Sequence, residues 1–155
     1  MKGTIDFNYD FRNDVVVARP RWTLDTPVEV VRWYEVQSRY FKARFGGPKD
    51  LIVINHHFDV APQLGTLWTC YCAKMLETFV RFAVHVKSSS HVQQTSTSSV
   101  LRYCISTVEV ATLGEAVDAI LELRQAAAAA SSGSGARRHS STQMPVLPGS
   151  TKLRA

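Results

Sequence analysis

The sequence predicts an α/β domain, with a mainly parallel or mixed sheet covered by helices. Three observations carry that expectation. Apolar and polar residues alternate near the N-terminus as in paired strands. Beyond them, short apolar runs take turns with segments of three- and four-residue apolar spacing. Two of those segments open on capping boxes, and the first closes on glycines.

Each element has its own warrant. Ile5, Phe7 and Tyr9 alternate with polar neighbours, and "VVVA" at 15–18 follows the polar turn Arg12-Asn13-Asp14, which predicts an N-terminal β-hairpin. Thr26-Pro27-Val28-Glu29 then supplies a hydroxyl cap, a proline at the first helical position and a glutamate three residues after the cap. Val30, Trp33, Tyr34, Gln37, Phe41 and Phe45 continue a mostly apolar stripe, and Gly46-Gly47-Pro48 stops the helix. "LIVI" at 51–54 is an apolar run between breakers, as expected of a central strand buried on both faces. Leu64, Leu67, Trp68, Tyr71, Met75 and Phe79 mark a second helix, and "FAVHV" at 82–86 a further strand. Residues 88–99 are nearly all Ser, Thr, Gln and His and read as a solvent-facing loop. "STVEVA" at 106–111 is a short strand. Thr112-Leu113-Gly114-Glu115 repeats the capping-box spacing, and Ala116, Val117, Ile120 and Leu121 stripe a last helix. The expected order is ββαβαβ(α)βα.

Residues 1–125 form the expected domain and residues 126–155 a flexible basic tail rich in Ala, Ser, Gly and Pro. That tail has too little apolar surface to offset the entropy of ordering it, although its opening alanines are expected to extend the last helix by a turn or two. The net charge of +5 is located in the tail. Through Gln125 there are 14 Lys and Arg against all 13 Asp and Glu, and the remaining positive charges are Arg137, Arg138, Lys152 and Arg154. A nearly neutral fold argues against a nucleic-acid-binding domain, which would carry its basic patch on the fold itself. No apolar run reaches the roughly 18 residues of a spanning helix. The start of the chain lacks the apolar stretch of a secretory signal. The cysteines Cys70, Cys72 and Cys104 are odd in number and do not read as a disulfide framework, so a cytoplasmic setting is expected. Trp22, Trp33 and Trp68 read as packing residues, with an interface role for Trp22 as the alternative.

Three stretches resemble the STAS domain family, the fold of anti-sigma-factor antagonists and related bacterial signalling modules. "KDLIVIN" resembles that family's central strand. "DVAPQLGTLW" resembles the loop and helix start that carry its phosphoacceptor, and "TVEVATLGEAVDAI" its last strand and helix. The resemblance covers roughly residues 3–124. It implies a non-catalytic module, with no cofactor, that docks a regulator, a kinase-like protein, a scaffold or another copy of itself. The chain departs from the family at one decisive place. Ala61 and Pro62 stand where the phosphorylated serine or threonine and its neighbour should be, and Thr66 is the nearest hydroxyl in the helix start. The family's phospho-switch is therefore expected to be missing.

The segment "INHHFDVAPQLGT", residues 54–66, is the candidate site. On the docking reading it is a surface loop presenting Phe58, Asp59, Ala61, Pro62, Gln63 and Thr66 to a protein partner. Three chemical readings compete with it. His56, His57 and Asp59 have the donor types of a metal or ligand site, with Cys70 or Cys72 completing it. Adjacent histidines on extended backbone point apart, however, as do cysteines two apart on a helix. Cys–His catalysis would need an exposed, electropositive thiol, whereas Cys70 and Cys72 lie in the apolar "LWTCYCAKML". A small-molecule site is placed well, at the C-terminal end of a parallel strand, but has no glycine-rich phosphate cradle. A pocket with convergent polar groups at this segment would favour ligand sensing or a minor enzyme, and a flat apolar-centred patch would favour docking.

Overall fold

The computed structural model describes residues 3–87 and 108–133. Alternation builds the first two strands, β1 (Thr4–Asp10) and β2 (Val15–Leu24), which pair antiparallel as the expected hairpin. Their turn is closed by Asp10, whose carboxylate accepts from the Arg12 and Asn13 N–H groups at 2.9 and 3.2 Å. Asp14 completes it at φ 54°, a left-handed conformation that aspartate tolerates better than most residues. Helix α1 (Pro27–Arg44) begins on a complete capping box. The Glu29 N–H donates to Thr26 Oγ1 (3.3 Å), and the Thr26 N–H donates to the Glu29 carboxylate (3.1 Å).

The apolar run becomes β3 (Lys49–Ile54). After a two-residue break comes β4 (His57–Val60), then a 3₁₀ turn (Pro62–Leu64) and α2 (Gly65–Thr78). β5 (Val80–Val86), β6 (Val108–Val110) and α3 (Leu113–Gly133) complete the described chain. The sheet runs β1-β2-β3-β5-β6, with every pairing parallel except the hairpin, and β4 also pairs with β2. The expected α/β class, N-terminal hairpin and mixed, mostly parallel sheet are what the molecule has. A second capping box opens α3, where the Glu115 N–H donates to Thr112 Oγ1 at 3.2 Å. That helix runs through the alanines to Gly133, eight residues past Gln125 and so about the two turns expected of the alanine run. The loop expected at 88–99, Cys104 and the tail beyond residue 133 lie outside the described residues. Among the described residues no helix is long and apolar enough to cross a membrane.

β2 is the organising strand because it has two successive partners on one side. Val15–Ala18 pair with β3, and Arg21–Leu24 pair with β4. From Ala18 to Arg21 the chain takes three steps, while from Val53 to His57 its partner takes four, so the β3–β4 side carries one extra residue in the manner of a β-bulge. Pro20 sits opposite that break. Proline has no N–H to give a ladder, and bulges are where strands accommodate it.

The sheet buries both faces. Val15, Val17, Ile52, Ile54, Val84 and Val86 pack with Ala116 and Ile120 of α3. On the other face Val16, Ala18, Leu51 and Val80 pack with Phe41 and Met75 of α1 and α2. Trp22, Leu24, Phe58 and Val60 continue that second face toward Val30, Trp33 and Trp68. Gly3 crosses the Trp22 indole so closely that a Cβ there would lie 1.9 Å from the ring.

One charged cluster ties these layers together. Asp50 of β3 has no exposed surface. Arg81 of β5 holds it with two hydrogen bonds of 2.8 Å, and Arg124 of α3 adds one of 2.5 Å. Arg124 also donates to the carbonyls of Asn13 (2.9 Å) and Asp14 (3.0 Å) in the hairpin turn. Removing one partner of a buried ion pair leaves the other charge uncompensated, at a typical cost of about 3–5 kcal/mol. Because both arginines keep some solvent contact, Asp50→Asn should cost about 3 kcal/mol, the low end of that range, in chemical denaturation. A loss below about 0.5 kcal/mol, the usual range of an inert surface change, would show that the cluster does not hold the layers.

Candidate functional site

The segment from Asn55 to Thr66 is largely built structure where a surface loop was expected. β4 covers His57–Val60, and the Ala61 N–H extends the pairing by donating to the Leu24 carbonyl at 3.0 Å. Four residues of β2 would otherwise lack a neighbour on that side, and buried backbone groups require partners. The extra residue at the Asn55-His56 break then decides which side chains face inward. Leu51 and Val53 of β3 face α1 and α2, and continuing their alternation would turn His57 and Asp59 inward. The bulge shifts the parity so that Phe58 and Val60 enter the core instead.

This corrects the docking reading at its intended anchor. Phe58 is 3% exposed, its ring centroid 6.1 Å from that of Trp33 and 5.9 Å from that of Trp68. It is a core residue and presents nothing to a partner. Asp59 is half-buried, and its carboxylate accepts the Val60 N–H at 2.9 Å. Ala61 is half-buried in the turn, while Pro62 and Gln63 are exposed on the 3₁₀ turn and Thr66 is exposed in the first turn of α2. His56 and His57 are also exposed, and Cys70 is exposed while Cys72 is half-buried. Among the described residues no three His, Cys, Asp or Glu side chains come together as a metal-holding group, so His56, His57 and Asp59 do not assemble with either cysteine. The three tryptophans are packing residues, none more than 7% exposed.

What lies behind the segment was not foreseen. A cavity of about 50 Å³ separates the sheet from α1 and α2. Trp33 and Gln37 of α1, Trp68 and Cys72 of α2, Phe58 of β4, and Asn55 and His85 at the strand ends contribute to its walls. The Asn55 amide nitrogen lies 2.8 Å from His85 Nδ1. With the amide donating, Nδ1 is the bare nitrogen and the imidazole proton sits on Nε2. Burial pushes the His85 pKa down to about 4, against the weaker opposing pull of the Glu109 carboxylate. The ring is therefore neutral near pH 7. Gln37 is 3% exposed despite its amide. Two signals in the sequence point to these residues: a polar side chain within the apolar stripe of α1, and a histidine inside the strand "FAVHV".

Two outcomes test this arrangement. Phe58→Ala should cost about 3–5 kcal/mol, as for other buried aromatics. His56→Ala, on an exposed side chain, should stay within about 0.5 kcal/mol. Paired denaturation curves decide, and equal effects would contradict the inward turn of Phe58. For His85, the folded pKa of about 4 lies below the ordinary 6.5. Below pH 6.5 the unfolded chain takes up a proton that the folded chain refuses, so stability falls as the pH drops through this window. Wild type should lose up to about 1.4 kcal/mol per pH unit there relative to His85→Gln, measured as the difference between their denaturation midpoints against pH. Parallel profiles would mean that the imidazole charges freely in the folded state. No family model matches the chain, and no curated protein matches it.

Proposed function

We propose that this chain is a non-catalytic bacterial regulatory or scaffolding module, STAS-like and cytoplasmic, that works through protein–protein contacts. The observation carrying this reading is the exposure of His56, His57, Pro62, Gln63 and Thr66 on one short segment of the chain. His57 stands on the β2–β4 pairing, Pro62 and Gln63 on the 3₁₀ turn and Thr66 in the first turn of α2, while the apolar Phe58, Val60 and Leu64 between them are turned into the core. The segment's exposed side chains are mostly polar rather than apolar-centred, so the support for docking is the ordered backbone, which loses little entropy when a partner binds. The partner is a regulator, a kinase-like protein, a scaffold or a second copy of the chain. Ala61 and Pro62 offer no hydroxyl, so recognition does not depend on phosphate at the family's usual position.

Co-purification from the native cell, quantified against surface variants, tests the proposal. Gln63→Arg and Thr66→Arg should each weaken capture of the partner, or self-association, by about tenfold, the effect of losing one good contact. Glu122→Arg, on the exposed face of α3, should leave it unchanged. Thermal melts of all three should match wild type. A partner lost with Glu122→Arg but kept by the segment variants would move the docking face elsewhere.

A further inference from the structure

We infer that the cavity between the sheet and helices α1 and α2 is a binding site for a small uncharged amphiphile, a molecule of short-alcohol size with one hydroxyl or carbonyl group. This inference stands apart from the docking reading.

The void has a clear origin in the sequence. On this face of the sheet Ala18 lies beside Val53, and Ala83 lies beside Leu51, so two alanines flank the central strand. Neither side chain fills the height between the sheet and the Trp33 and Trp68 rings above it. Packed cores rarely leave such gaps.

Size sets the first limit on what enters. An engineered apolar cavity of roughly 150 Å³ takes benzene. The void here is about 50 Å³, a third of that, which admits a handful of heavy atoms and no ring. Charge sets the second. Among the described residues no Asp, Glu, Lys or Arg lines the cavity, so an ion would be desolvated with nothing to compensate it. The neutral imidazole of His85 adds no counter-charge.

Polarity distributes the rest. Asn55 and His85 lie at the C-terminal ends of β3 and β5, where parallel sheets usually bind ligands, whereas Leu51, Val80 and Met75 form an apolar floor toward the other end. Water needs two to four polar partners and would find them at one end only. A molecule with an apolar body and one polar group suits both ends. Two lining residues also carry buried atoms without a hydrogen-bond partner among the described residues, the acceptor Asn55 Oδ1 and the donor Trp68 Nε1. A hydroxyl both donates and accepts, so it matches this pair of unmet needs in kind.

The test uses the full chain labelled with ¹⁵N and isopropanol as the probe. The indole N–H signals are site-specific reporters, because Trp33 and Trp68 line the cavity and Trp22 does not. Isopropanol should shift the Trp33 and Trp68 signals saturably, with a Kd of roughly millimolar order given so few heavy atoms, and leave Trp22 unmoved. Ala83→Val, which fills the void, should weaken that binding by about tenfold or more while the variant stays folded. Propylammonium and propionate should give no saturable shift. Linear shifts on all three indoles, or undiminished binding to a folded Ala83→Val, would overturn the inference. Should that variant fail to fold, the comparison of charged and neutral probes on wild type decides, and equal binding of propylammonium would overturn it as well.

Discussion

A carboxylate without exposed surface sits at the amino-terminal end of the parallel strands, and four parts of the chain converge on it. Asp50 belongs to β3, Arg81 to β5 and Arg124 to the middle of α3, and Arg124 reaches the hairpin turn through the Asn13 and Asp14 carbonyls. Replacing such a cluster with apolar residues can be neutral or even stabilising, so its presence is not a simple measure of stability. Its force is conditional. Once Asp50 is buried, both guanidinium groups must be in place, and that sets where α3 crosses the sheet and how the hairpin meets it. Beside the cluster, Lys49 donates to Asp14 at 2.7 Å, and this hydrogen bond, followed by that from Tyr9, holds the Asp14 carboxyl below its ordinary pKa.

With the amino-terminal end of the sheet fixed in this way, its other end is free to be irregular. β2 outruns β3, and the chain returns after a two-residue break to cover the remainder as β4. The extra residue in that break turns Phe58 inward, where it closes one wall of the cavity, and leaves His56 and His57 on the surface. His57 on the surface and Phe58 at the cavity therefore lie on opposite sides of one short strand. A change that alters the register of β4 would disturb both.

The cavity itself reflects competing demands on the same face. Large rings from α1 and α2 need a flat support, and Ala18 and Ala83 provide one without filling the space above it. A void of about 50 Å³ costs about 1 kcal/mol by the usual scaling with cavity volume. That is a small fraction of a domain's typical stability of roughly 5–15 kcal/mol, so the fold tolerates it.

The sequence by itself determined the elements whose signals are local. Both capping boxes, the Gly46-Gly47-Pro48 stop, the alternation of the hairpin and the apolar run of β3 depend on neighbours within a turn or a strand, and each stands where its residues place it. The alternation in His57-Phe58-Asp59-Val60 was also present in the sequence, but four residues beside Pro62 read as readily as a loop. Only the tertiary structure decided that they form a strand, because the pairing groups they satisfy belong to Arg21–Leu24, more than thirty residues earlier. It alone decided that Phe58 faces the core, because one extra residue opposite Pro20 reverses the parity, and a bulge depends on the register between two strands. It alone joined Gln37, Asn55 and His85 around one void, and Arg124 to Asp50. Pairings so distant along the chain leave no periodic trace in the sequence, since they follow from which strands become neighbours.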